Sequence, residues 1–563
     1  MAELHVSKKT IGKLFSEMQN RKFIIPDYQR PYKWDEEKCE TLWNDIEHFA
    51  QTDARTGADY FLGTIVFCTN QDRNPEVIDG QQRLTSFLLL LRAFYKKLEE
   101  MAEDAQVIGL KNQLAPCIWD VDRISQRVED GKKIHLVSEV ATEEDNETFH
   151  RILETGKTGE GAKDRYSENY RFFRKKCDEY ATANPMQWKE LCVAILHQCI
   201  VLPIECDTQD TALTIFSTLN DRGMPLSDSD IFKAQIYRNC QTEEKRREFT
   251  ETWKELTQIC EQGDFSIDDV FRYYSHVLRA RAKDKSTTEV GLRNFYAENK
   301  YERLKKENTM AEIMDLAFFW RFLKKGIEPD IEYLYSISTK AKIYLHCLAY
   351  YPNEYWRYVT NVFFMKNRAS ETFESDFEAL LQKVTAYLFA KYIDRPTSHA
   401  IKADIYNAGV SLNENKGFQH RFVLDEELLD TQIEHASSKI STGLLLLYAY
   451  LHPGQTELIP ADKIQIEHIF PRQWQDANYN GWSKEEADKY LNRFGNKTVC
   501  ERKLNIQAGN GYFGQKKDKY KSSKIATVRE LADYPKNDWT KEDIEQREAH
   551  FKKTLLAFFR TNI

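Results

Sequence analysis

Glycine and proline are scarce in this chain, 22 and 14 of 563 residues, below ordinary usage. That excludes collagen-like, linker-rich and low-complexity readings. No CxxC pair occurs among the 11 scattered cysteines, so reduced thiols and a cytoplasmic location are expected rather than a disulfide framework. Long apolar runs are missing too. The run Phe87 to Leu91 is stopped by Arg92, and no run approaches the roughly 18 residues of a membrane span, so no membrane partner is expected. Lys8 and Lys9 have no apolar segment behind them, and no signal peptide is expected. An overall positive charge is also lacking: 80 Lys and Arg stand against 88 Asp and Glu, a net charge of -8. What is present is 41% hydrophobic and 13% aromatic residues, enough for packed cores. The length suggests roughly three to five domains.

The pattern predicts a multidomain α+β protein, predominantly helical. Residues 60–69 (YFLGTIVFCT), 76–79 (EVID) and 201–206 (VLPIEC) have the β-branched and aromatic content of strands. From Leu84, LTSFLLLLRAFYKKLEE predicts a buried helix of about 15 residues. The polar stretch 152–168, with three glycines, predicts a loop. A helix is expected from 207 to a turn at Asn220 to Gly223, and a second after Ser227, which has capping-box spacing to Asp230. From about 241 to 430 the periodicity is helical without a crisp repeat, which favours a general helical scaffold over a solenoid. LHPGQTELIP at 451–460 is a candidate boundary. Beyond it IQIEHI predicts a short strand, FGNKTVC a turn and strand, and Thr540 with Asp543 the cap of a last helix.

Charge is not spread evenly. Residues 461–563 hold 20 basic and 15 acidic side chains, and within 491–530 the count is 10 against 3. This basic segment is a candidate phosphate-facing surface, with Arg502, Lys516 and Lys517 as the expected DNA phosphate contacts. A solvated face of a small domain is the other reading. Beside it lie Glu467, His468, Asn496 and Asn505. Glu467 can give a hard oxygen to a cation and His468 can act as a base at neutral pH. Asn496 can hold the loop that bears the base, and Asn505 can complete a divalent-metal site. Metal-held oxygens plus an imidazole base are the minimum for phosphodiester hydrolysis. A lone histidine at a strand end is, however, more often structural.

IEHIFP, then GN, then KLNIQAGNGYFGQKKDKY, then Trp539 and Arg547, resemble the HNH-type nuclease domain of GmrSD-like, modification-dependent (type IV) restriction endonucleases. The resemblance implies a ββα-metal fold binding Mg²⁺ or Mn²⁺. Glu467 would be the first metal ligand, His468 the general base, Asn496 the middle catalytic Asn and Asn505 the metal-side residue. Asn510 is the alternative to Asn505, and Asn510, Lys516 and Tyr520 match the trailing motif. One departure is GNKTVC, where the family has a leucine-rich GNLTLL; another is the absence of zinc-holding cysteine pairs.

Near the N-terminus, IPDYQRPYKW, YFLGTIV, VIDGQQRLTSF and FSTLNDRGMPLSDSDIFK resemble the N-terminal domain of the same family, which has a ParB/sulfiredoxin-like α/β fold. The resemblance implies a nucleoside triphosphate of unknown base, bound or hydrolysed by Asp79, Gly80, Gln81, Gln82 and Arg83. Gln29, Arg30, Asn220 and Arg222 would close around it. Read from the residues alone, Asp79 and Arg83 are equally an internal ion pair, and Gln81 and Gln82 are caps of backbone groups. Gly156-Lys157-Thr158 is no P-loop, because Arg151 stands where its first glycine belongs.

The expected organisation is therefore a nucleotide-binding sensor domain at 1–240, a helical middle at 241–435 and an HNH nuclease at 436–563. The expected partner is double-stranded DNA, and a homo-oligomer is compatible with the sequence. The expected function is NTP-responsive, metal-dependent cleavage or nicking of foreign, modified DNA. Two other functions stay open: an NTP-hydrolysing DNA-binding regulator with a weak nuclease, and a helical scaffold.

Overall fold

The computed structural model describes all residues except 1–3, 28, 53, 55–56, 71, 123, 126, 208–210, 213–226, 327–335, 461–463 and 475–481, and the side chain of residue 243. The chain is mostly helical and divides into two compact units, Met1–Glu255 and Leu256–Ile563.

The first unit is built on a mixed sheet of seven strands: β1 (Leu4–Val6), β2 (Lys9–Thr10), β3 (Phe23–Ile25), β4 (Tyr60–Thr69), β5 (Pro75–Asp79), β6 (Leu136–Ser138) and β7 (Cys199–Cys206). Their spatial order is β1-β7-β4-β5-β3-β6, with β2 also on β7. β4 is parallel to β7 and antiparallel to β5, and β3 is parallel to both β5 and β6. The β-branched and aromatic residues of β4 suit this central place, where both edges are paired. β5 runs directly into the helix Gln81–Glu99, since Gly80 adopts φ +95° at the turn, a conformation that glycine takes at little cost. The helix therefore starts three residues before the expected Leu84. Its unbroken run from Leu84 to Phe94 is buried, which explains its hydrophobicity on all sides.

The expected loop at 152–168 is shorter in the structure. The helix Glu143–Thr155 reaches into it and ends at Gly156 in the left-handed conformation, and Asp164 caps the next helix, Arg165–Ala183. Glycine served here as a helix stop rather than as loop filling. Most of the helix expected up to Asn220 lies outside the described residues. Ser227 does cap the helix Asp228–Asn239, its hydroxyl accepting from the Asp230 amide at 3.2 Å.

The second unit begins with long helices, among them Ile267–Arg281, Thr309–Lys325, Tyr355–Asn367, Phe373–Asp394 and His399–Asn413. Their core is aromatic, with Phe319 stacked on Phe364 at 3.9 Å. After the helix Ser438–Leu451 comes a two-stranded antiparallel ribbon, β8 (Ile464–His468) and β9 (Lys497–Glu501). Short helices follow at Arg502–Ala508, Phe513–Tyr520 and Ala526–Ala532. The closing helix Lys541–Asn562 starts at a capping box of Thr540 and Asp543, as the spacing predicts. Trp539 packs against Phe513 and Tyr534 at 5.1 and 5.2 Å, a core position. Among the described residues, no helix is long and apolar enough to cross a membrane.

Candidate functional site

Successive strand residues point to opposite faces, so β8 presents Gln465 and Glu467 on one side and His468 on the other. On the first side Glu467 is 4% exposed. Its Oε1 accepts from Lys516 Nζ at 2.8 Å and from the Tyr520 hydroxyl at 2.7 Å. Lys516 also donates to the His468 carbonyl at 2.6 Å, and burial pushes its ammonium pKa down while Glu467 opposes the shift. Burial, with Glu467 second, raises the Tyr520 hydroxyl. Lys516 is only 1% exposed. The expectation that it contacts a DNA phosphate is therefore corrected: it is the buried counter-ion of Glu467. Lys517 is also turned inward, donating to the carbonyls of Tyr534 and Lys536. Of the three expected phosphate contacts, only Arg502 is exposed.

Breaking a buried ion pair leaves an uncompensated charge, at a cost of about 3–5 kcal/mol. Lys516→Met is accordingly expected to destabilise the second unit by about that amount, seen as a lower urea midpoint. An unchanged midpoint would show that Glu467 does not depend on Lys516.

Asn505 lies on the helix Arg502–Ala508, against the same face as Glu467, and its Nδ2 donates to Gln465 Oε1 at 2.8 Å. Asn510 lies in the following turn and donates to Gln473 Oε1 at 3.2 Å. Among the described residues neither asparagine hydrogen-bonds to Glu467. Both amides are engaged through nitrogen, which leaves their carbonyl oxygens as the available ligands. Both bonds to Glu467 fall on Oε1, so Oε2 is its free oxygen among the described residues. No group of three or more His, Cys, Asp or Glu side chains that could hold a metal occurs among the described residues. One carboxylate oxygen and one or two amide oxygens instead fit a hard ion that keeps most of its water, as Mg²⁺ does.

His468 closes β8 on the opposite face. Its Nε2 is buried without a hydrogen-bond partner among the described residues. Burial, reinforced by Arg472, Lys497 and Lys516 and opposed by Asn492, pushes the imidazole pKa down to about 4, so the ring is neutral at physiological pH. Asn496 is fully buried and serves the backbone. It accepts from the Phe470 amide at 2.7 Å and donates to the carbonyls of Phe470 and Leu491 at 3.1 and 3.0 Å. It ties the segment after His468 to the turn before β9. Expected to be catalytic, Asn496 is placed to position that segment. Arg547 fastens the same turn by donating to the carbonyls of Phe494, Gly495 and Lys497. Asn492 and Arg472 were not foreseen as site residues; no sequence motif marks them, because they reach His468 only once the ribbon folds.

The N-terminal cluster gathers where β5 meets its helix. Burial raises the Asp79 carboxyl, with Arg83, the Gly80 backbone and Arg30 opposing. Arg83 donates to the Thr64 carbonyl at 2.8 Å, in space that a side chain on Gly63 would fill, since a Cβ there would lie 2.8 Å from its Nη1. Arg30 Nε is buried without a partner among the described residues. Gln81 Nε2 donates to Gln29 Oε1 at 3.2 Å, and Gln29 to the Ile78 carbonyl at 3.1 Å. Gln82 accepts from the amides of Lys33 and Trp34 and donates to the Pro31 carbonyl. The two glutamines on the helix thus hold the segment 29–34, which leaves Asp79, Arg83 and Arg30 as the charged groups at this corner. Lys233 also reaches in, donating to the carbonyls of Asp27 and Gln29. Asn220 and Arg222 lie outside the described residues.

Two family models match the chain: the N-terminal domain of GmrSD restriction endonuclease over residues 11–237, and the C-terminal domain of GmrSD restriction endonucleases over residues 419–554. No curated protein matches it. The first match spans the β5 corner and the second spans the β8–β9 ribbon, in the order found in the sequence. The chain belongs to the GmrSD family of type IV restriction endonucleases, and with it to the nucleases that act on DNA.

Proposed function

We propose that this chain is an NTP-responsive, metal-dependent endonuclease or nickase of the cytoplasm that attacks foreign, modified DNA. Residues 1–240 form its ParB/sulfiredoxin-like sensor, 241–435 its helical middle and 436–563 its HNH-type ββα nuclease. The observation that carries this reading is His468: a neutral imidazole at a strand end, with Nε2 unpaired. A buried nitrogen without a partner calls for an explanation; His346 has one as well, but His468 stands next to Glu467 within the match to the C-terminal domain, where a general base gives one. His468 takes a proton from water as the water oxygen bonds to phosphorus. The bond to the leaving oxygen breaks, and that oxygen takes a proton from solvent. Glu467 with Asn505, or with Asn510 in its place, would hold a Mg²⁺ or Mn²⁺, which would supply charge stabilisation to the transferring phosphoryl group.

At the other site, Asp79 with Arg30 and Arg83 offers opposite charges beside the N-terminus of a helix of 19 residues. That combination suits a phosphate chain and its cation. Asp79→Asn is expected to lower NTP hydrolysis about a hundredfold, measured as phosphate release with each of the four NTPs. Hydrolysis at the wild-type rate would remove Asp79 from the reading.

One observation favours the alternative of a DNA-binding NTPase whose nuclease is inactive: the Glu467 charge is already met by Lys516. Phosphate release without plasmid cleavage under any metal would decide for it.

A further inference from the structure

Lys497 opens β9 directly opposite His468 in the ribbon register. Antiparallel partners put their side chains on one face, with Cβ atoms about 5 Å apart. Lys497 is only 9% exposed, and its ammonium lies 4.8 Å from the centre of the Phe494 ring. It forms no ion pair among the described residues. Glu548, the acid that acts on it most, is itself fastened to Arg493 and the Phe494 amide. An unpaired lysine is a costly choice for a buried strand position, and the motif this segment resembles has leucine there. Arg472, four residues after His468, is exposed and also without a hydrogen bond or ion pair among the described residues. It is close enough to act electrostatically on both His468 and Lys497. Two unpaired cations therefore flank the His468 imidazole, whose Nε2 is buried without a partner among the described residues.

We propose that Lys497 and Arg472 form a cradle that holds a DNA phosphate, the one to be cut, against His468. The proposal rests on the nuclease reading of His468 and adds to it a charge contact supplied by the protein rather than by a metal. The cradle binds the ground state through both cations. Lys497, fixed by burial and by the Phe494 ring, meets the charge that grows on the phosphoryl oxygens as water attacks.

The test is binding of the full chain to a fluorescent duplex across a salt series with Ca²⁺, for wild type, Lys497→Met and Arg472→Gln, followed by single-turnover cleavage in Mg²⁺. Each variant should reduce the slope of log K against log salt by about one and weaken binding about tenfold at low salt. Lys497→Met should also slow cleavage about a hundredfold at saturating enzyme, and Lys497→Arg should restore both readouts. An unchanged slope in Arg472→Gln, which is exposed and does not threaten the fold, overturns the cradle, as does a wild type that binds no duplex. Failure of the nuclease reading looks different: the wild type never cuts, yet both variants still lose slope, and the cradle survives as a phosphate-binding site.

Discussion

His468→Ala removes DNA cleavage, by roughly a hundred- to ten-thousandfold in the single-turnover rate, the range a positioned general base provides. The same substitution leaves the ribbon folded. The imidazole Nε2 makes no hydrogen bond among the described residues. The packing lost with the ring is offset in part by relief of that unpaired nitrogen. A change in stability of no more than about 2 kcal/mol is expected in urea unfolding, well under the cost of breaking the buried ion pair of Glu467 and Lys516. Duplex binding should persist, because Lys497 and Arg472 remain. A variant that still cuts would move the base elsewhere, and a variant that unfolds would make His468 a structural residue.

Gly495→Ala has the opposite signature: it damages the fold first and the chemistry as a consequence. Gly495 sits in the turn Phe494–Asn496, against the closing helix. A Cβ there would lie 1.9 Å from the Ile544 carbonyl oxygen and 2.8 Å from its carbon. Both atoms belong to helix backbone, so no side-chain rotation relieves the clash. Either the helix Lys541–Asn562 or the turn must move, at about 3 kcal/mol or more. That turn carries Asn496, which holds the segment after His468, and leads into Lys497; Arg547 reaches it from the same helix. Loss of stability, cleavage and the Lys497 contribution to binding should therefore appear together. A thermal melt superimposable on wild type would show that the turn is looser than drawn.

Local features were legible in the sequence where the physics is local. Strand composition placed β4, β5, β7, β8 and β9, and the spacing of Ser227 to Asp230 and of Thr540 to Asp543 placed two helix starts. What sequence spacing could not carry were partnerships between distant segments. Lys516 lies in a basic run and reads as a surface cation, yet it is 49 residues from the carboxylate it neutralises. Lys497 reads only as a departure from a leucine-rich strand until the register sets it against His468. Capping of backbone groups by Gln82 was open from the residues alone, but not that those groups belong to residues 31–34 or that Gln81 meets the Gln29 side chain. The net charge of -8 was the least informative number, because the cations that matter are a few residues in a basic tail.

The most direct measurement is cleavage of supercoiled plasmid, prepared with and without base modification, by the purified full chain in Mg²⁺ or Mn²⁺ with each NTP in turn. The account predicts nicked or linear product that requires the metal, increases with one of the NTPs, is greater on modified DNA and vanishes in His468→Ala. Intact plasmid under every combination, from a folded protein that binds the duplex and hydrolyses NTP, would contradict it.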